Sequence, residues 1–197
     1  MNSIAQVLKL IVLSIVGLVA LTYFTVDAPK KIEKKAIKLS DLPKTVELLG
    51  YDDSKFTTNS IIKKGTIIFV GNHESIVLAN KLESMLNLKK GEFVIVSNIS
   101  DAPWFIKRWQ AYEKNITLKG EKHLPWIYDK NGAMRNFLQV PTSDSVKYFV
   151  YKVRDNENIE KIYNGKVKFG TLDGAMSDKE QEENLQKVID ILKSVSK

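Results

Sequence analysis

Residues 67–86 read IIFVGNHESIVLANKLESML, and in them a run of apolar residues stops at a polar knot, Asn72-His73-Glu74-Ser75. These four side chains offer an amide, an imidazole, a carboxylate and a hydroxyl within one helical turn. Three chemistries are open to them. His73 as base and Ser75 as nucleophile would make an acyl-transfer pair. Neighbours two apart at a helix start rarely align for proton transfer, however, and hydrolases draw that pair from separate segments. No G-x-S-x-G elbow occurs in the chain. A metal site would need further ligands. The other histidine is His123, in KGEKHLPW, and its spacing from His73 and from any carboxylate carries no ligand signature. The third reading is a helix start. Asn72 is a good cap, Glu74 complements the dipole in the first turn, and free N–H groups at such a point can hold an anion.

The rest of the chain narrows these options. It contains no cysteine, which removes disulfides, thiolate metal sites and thiol redox chemistry. The glycine-containing stretch 168–180, KFGTLDGAMSDKE, lacks phosphate-loop spacing. No metal or cofactor is expected. The sequons Asn98-Ile99-Ser100 and Asn115-Ile116-Thr117 matter only in a glycosylating host. Trp104 and Trp109 are five apart and do not share one narrow helix face. An exposed tryptophan would favour a binding surface, whereas full packing is the plainer reading. Trp126 reads as core or as a loop anchor.

The formal net charge of +7 is unevenly placed. Lys30, Lys31, Lys34, Lys35 and Lys38, set against Glu33, supply more than half of it. The body shows no interleaving of basic and aromatic residues, so no nucleic-acid partner is expected.

The elements that position the knot follow from periodicity. TIIFV and FVIVSN are buried strands by their β-branched content. Between them Ile76, Val77, Ala79, Leu82, Met85 and Leu86 recur at helical spacing. Asp101 is placed to cap a helix lined by Trp104, Phe105, Trp109 and Tyr112. LPWIYDKNGAMRNFLQV holds a short extended piece and a short helix or turn. VKYFVYKV, RDNEN and IEKIYNGKV form a hairpin. Ser177 to Glu180 is a capping box before a helix whose inner face is Leu185, Val188, Ile189, Leu192 and Val195. Upstream, Asp41, Pro43 and Gly50 bracket a short helix.

Residues 10–26, LIVLSIVGLVALTYFTV, carry no charge. A span over residues 4–26 would cross a bilayer, with Tyr23 and Phe24 at the interface. A signal peptide cut after Ala28 is the rival, but Pro29 would follow the cut and Asp27 sits inside it. An uncleaved single-pass anchor is expected. The domain plan is then 1–27 anchor, 28–59 basic linker and short helix, and 60–197 body. The lysine run after the span argues for a cytoplasmic body, whereas a short N-terminal tail argues for an exported one.

The order of strand, helix, strand, helix, long connection, hairpin and helix resembles the thioredoxin-like fold over residues 60–197. The resemblance implies an α/β body with a mixed four-stranded sheet flanked by helices. It places Asn72–Ser75 where relatives carry C-x-x-C, and Pro141 of Val140-Pro141-Thr142 where they carry a cis-proline facing that motif. Ser143-Asp144-Ser145 between Pro141 and the next strand departs from the pattern. Thiol exchange does not carry over to a chain without cysteine. What the resemblance implies instead is a redox-inactive domain that binds a protein or peptide partner in the cell envelope, on the periplasmic or extracytoplasmic side. The contact would be a groove formed by Asn72, His73, Glu74, Ser75, Pro141 and Thr142. The alternative is a membrane-tethered enzyme using His73, Glu74 or His123, with or without a metal.

Overall fold

The computed structural model describes residues 6–7, 9, 11–17, 36–51, 54–86, 91–102, 111–120, 124–141 and 144–195, with backbone only at 195. The body is built on a five-stranded mixed sheet of β3 (Ile67–Gly71), β4 (Phe93–Asn98), β5 (Trp126–Asp129), β6 (Lys147–Val153) and β7 (Ile159–Lys166). The strand order is β5-β4-β3-β6-β7. β3, β4 and β5 run parallel, and β6 and β7 return antiparallel. Strands joined through helices must run parallel, whereas the six-residue span from Val153 to Ile159 can only close a hairpin.

The central strands are apolar on both faces because both faces are covered. Ile67, Phe69, Phe93 and Ile95 face α2 (Leu78–Leu86) and α5 (Asp178–Val195), packing on Leu78, Leu82, Leu185 and Val188. Ile68, Val70, Val94 and Val96 face the other way, onto Ile62, Met134, Leu138 and Val140. Ile62 follows α1 (Thr58–Ile61), and Met134 lies in α4 (Ala133–Phe137). Each large side chain so buried stabilises the fold by roughly 1.5–3 kcal/mol.

The sheet has five strands where four were expected. The fifth is β5, only four residues long, read from sequence as a short extended piece. Its strand character comes from parallel pairing with β4, Ile95 opposite Trp126 and Asn98 opposite Asp129, a non-local partner that local pattern does not reveal. Trp126 is core, 1% exposed. The short helix expected over 41–49 is also replaced. A 3-10 turn at Leu39–Asp41 precedes β1 (Thr45–Glu47), which forms an antiparallel hairpin with β2 (Lys55–Thr57). The β-branched pair Thr45-Val46 alternates exposed and buried, and Val46 packs beside Ile127 and Met134.

The strand directions give the sheet two ends. β3, β4 and β5 finish at Gly71, Asn98 and Asp129, and β6 starts there. The opposite end carries the β6–β7 turn. There Leu39 N–H donates to the Glu157 carbonyl, and Ile159 N–H to the Ile37 carbonyl, both at 2.8 Å.

Residues 11–17 are helical, with Ile11, Val12, Leu13, Ile15 and Val16 exposed. Much of the expected span over 4–26 lies outside the described residues, and among those described no helix is long and apolar enough to cross a membrane.

Candidate functional site

The polar knot sits at the finishing end of β3, where open α/β sheets carry their sites. β3 ends at Gly71, and a side chain there would put its Cβ 2.7 Å from the Ile76 Cα, so the chain turns into the helix at contact distance. A 3-10 turn at Ser75–Val77 then leads into α2. The sequence reading makes Asn72 the cap through its side chain. Instead its carbonyl accepts Ser75 N–H at 3.1 Å and Ile76 N–H at 3.0 Å. Its side chain points elsewhere.

Asn72 is 3% exposed and fully engaged. Its Nδ2 donates to the Asp144 carbonyl at 2.8 Å, and its Oδ1 accepts from Asn98 Nδ2 at 2.7 Å. Ser75 is buried as well. Its hydroxyl donates to the Lys147 carbonyl at 2.6 Å, accepts Asn72 N–H at 2.9 Å and lies 3.2 Å from the Asn72 carbonyl. A hydroxyl spent in this way is no nucleophile. Glu74, 4% exposed, donates its N–H to the Ser145 carbonyl at 2.9 Å and accepts Leu172 N–H on Oε2 at 3.1 Å. It ties the knot to the 3-10 turn at Thr171–Asp173. The N–H groups of Asn72, Glu74, Ser75 and Ile76 all have partners, so an anion finds few free donors here.

His73 is the exposed member of the four. Pro141 is also exposed, and no peptide bond among the described residues is cis, the Val140–Pro141 bond included. The carbonyls that meet the knot belong to Asp144 and Ser145, inside the insertion that departs from the family pattern. Thr142 and His123 lie outside the described residues, as do Trp104, Phe105 and Trp109. Among the described residues no group of three or more histidines and carboxylates could hold a metal.

A second set of residues, not singled out in the sequence, extends the site across the ends of β4 and β5. Asn98 closes β4, and its Oδ1 accepts Ser100 Oγ at 2.8 Å. Ser100 Oγ in turn accepts from Arg135 Nη1 at 2.8 Å, and the same guanidinium pairs with Asp101. Asp101 therefore takes a salt bridge rather than showing the expected cap, whose helix falls outside the described residues. Asp129 closes β5 and accepts Met134 N–H at 3.2 Å and Arg135 N–H at 2.8 Å, holding the start of α4. Burial pushes the Asp129 carboxyl up from its ordinary value, against the opposing pull of the Arg135, Met134 and Ala133 N–H groups and the Arg135 charge. The sequence signal for this frame is a strand whose apolar run, FVIV, ends in Ser97-Asn98. Both sequon asparagines are buried and bonded, Asn98 to Asn72 and Asn115 to Ser97 Oγ at 2.7 Å, so the folded chain offers neither to a glycosylating enzyme.

Beside this frame a cleft of ≈ 180 Å³ opens between the β1–β2 hairpin and the β5–α4 turn, lined by Glu47, Lys55, Asp129 and Lys130 among others. It is smaller than the roughly 300–1,000 Å³ of small-molecule sites. One further residue stands out at this end. Phe169, just beyond β7, is 80% exposed. It precedes Gly170, whose φ of 80° starts the turn that Glu74 holds through Leu172.

No protein-family model and no curated protein matches this sequence. Among solved structures it is similar to DsbF of MTB, in mixed oxidized and reduced forms, at 13% identity and a TM-score of 0.44 over 76% of this chain and 98% of that one. It is similar to yeast Sco1 at 10% identity and a TM-score of 0.37, over 82% and 97% of the two chains. It is also similar to the bacterioferritin comigratory protein of Xanthomonas campestris at 12% identity and a TM-score of 0.38, over 75% and 93%. The strand order and directions give the fold on their own terms. A parallel β3–β4 pair lies beside an antiparallel β6–β7 hairpin, with helices on both faces and a helix starting directly after β3. The chain has a thioredoxin-like fold and lacks the C-x-x-C motif, because it has no cysteine.

Proposed function

We propose that this chain is a membrane-anchored, redox-inactive thioredoxin-like domain that binds a protein or peptide partner in the cell envelope, in an assembly or folding role. The contact lies at the finishing end of the sheet. The carrying observation is the contrast between what is spent and what is offered there. Asn72, Glu74 and Ser75 are buried and bonded within the chain, while His73, Pro141 and Phe169 are exposed at the same end. In the family this groove receives an extended chain. Here most of the knot's N–H groups are already used, so side chains hold the partner, with Phe169 as its aromatic anchor. The membrane anchor rests on the uncharged run 10–26, and the exported body on the short tail before it and the family resemblance.

The enzyme alternative needs Ser75 or Glu74 to reach a substrate, and both are buried and engaged. The test is site-specific photocrosslinking of the full chain in its own cells, with the crosslinker at Phe169, at His73 and, as control, at Asp155 in the β6–β7 turn. One shared adduct from Phe169 and His73, absent from Asp155, supports the reading. Full rescue of a deletion phenotype by Phe169→Ala, with loss of rescue in His73→Ala, favours the enzyme.

A further inference from the structure

We infer that the partner-binding end of the domain points away from the bilayer. This rests on the anchor in the reading above and adds which face the partner meets. The chain enters the body at residues 37–39. Lys38 bridges Asn158, Ile37 accepts Ile159 N–H and Leu39 donates to Glu157, so entry is locked against the β6–β7 turn. Gly65 and Thr66, just before β3, share this end through bonds to Val153 at 3.0 and 2.9 Å. The knot lies at the other end of β3, and Pro141, Asp144 and Phe169 belong to segments that start or finish there. β6 has seven residues between the two ends, a separation of about 23 Å at about 3.3 Å per residue.

Between the uncharged run and Ala36 lie nine residues, 27–35, four of them lysines. Fully extended they reach about 30 Å, and lysines beside anionic headgroups each add on the order of 1 kcal/mol of attraction. A short basic tether fixed to one end of the sheet keeps that end at the headgroups and holds the other end out in the aqueous phase. The partner is therefore a soluble chain or the extramembrane part of another protein, not a lipid or a bilayer-embedded segment.

The absence of cysteine makes the test clean. Single cysteines are placed at Asn131, in the exposed turn after β5, and at Asp155, in the exposed β6–β7 turn. Each full-length variant is labelled with one fluorophore and reconstituted into phosphatidylcholine–phosphatidylglycerol vesicles carrying nitroxide-headgroup lipid. Several-fold stronger quenching at Asp155 than at Asn131 is expected. Equal quenching, or stronger quenching at Asn131, overturns the orientation while leaving the anchor intact. Failure of the chain to float with the vesicles overturns the anchor reading and the orientation with it.

Discussion

Replacing Asn98 with alanine tests whether the buried amide chain frames the knot. The substitution removes the donor to Asn72 Oδ1 at 2.7 Å and the acceptor for Ser100 Oγ at 2.8 Å. Asn72 is 3% exposed, so its Oδ1 is left without water to replace the lost donor. A buried polar group stranded in this way costs about 1–3 kcal/mol, and the less buried Ser100 adds up to about 1 kcal/mol. The total is about 2–4 kcal/mol. With a urea slope of about 2 kcal/mol/M, the unfolding midpoint of the full chain falls by about 1–2 M. Asn98→Asp adds a sign test. The new carboxylate oxygen faces Asn72 Oδ1 in a buried site, so its folded pKa lies above its unfolded one. Its protonated form donates to Asn72, and the stability this gives is present below the unfolded pKa and lost as pH rises through the folded one. Asn98→Asp is therefore at least as damaged as Asn98→Ala at pH 7 and recovers part of the loss near pH 4. A midpoint for Asn98→Ala matching the parent, with exposed His73→Ala as reference, refutes the argument.

Three further outcomes follow from the same structure. A Cβ on Gly165 would fall inside the buried Tyr148 ring, itself stacked on Phe69 at 5.4 Å, so Gly165→Ala lowers stability by about 1–3 kcal/mol and shifts the near-ultraviolet spectrum. The Lys168 bond, with help from the Ser177 N–H and hydroxyl, holds the Glu180 carboxyl down at about 2. Its contribution is present above the ordinary carboxylate range and lost as pH falls toward 2, so the gap between the parent and Glu180→Gln closes over that window in urea melts. Glu74→Ala frees Leu172 N–H and speeds exchange of that amide, while Glu74→Gln, which keeps an acceptor oxygen, holds it closer to the parent rate.

The β3–knot–α2 unit was legible because a buried strand and an amphipathic helix leave strong local patterns, and the C-terminal hairpin and capping box were legible for the same reason. What escaped depends on distant partners. β5 is four residues whose strand state is conferred by β4, and Thr45–Glu47 became a strand because Val46 had an apolar face to fill beside Ile127 and Met134. At the site, residue types identified a helix start but not the reason for them. Asn72 and Ser75 are chosen for bonds to Asp144, Asn98 and Lys147, up to 72 positions away. The role of Pro141 was displaced to Asp144 and Ser145 by the insertion that the sequence already showed as a departure. Phe169 carries no pattern at all, since only a fold shows that an aromatic has been left outside.

The central claim, a partner held at the finishing end of the sheet, is tested most directly by crosslinking from Phe169 in the full chain in its own cells, with Asp155 as the opposite-end control. The account predicts a discrete adduct from Phe169, shared by His73 and absent from Asp155. An adduct from Asp155 alone, or none from Phe169 and His73, contradicts it.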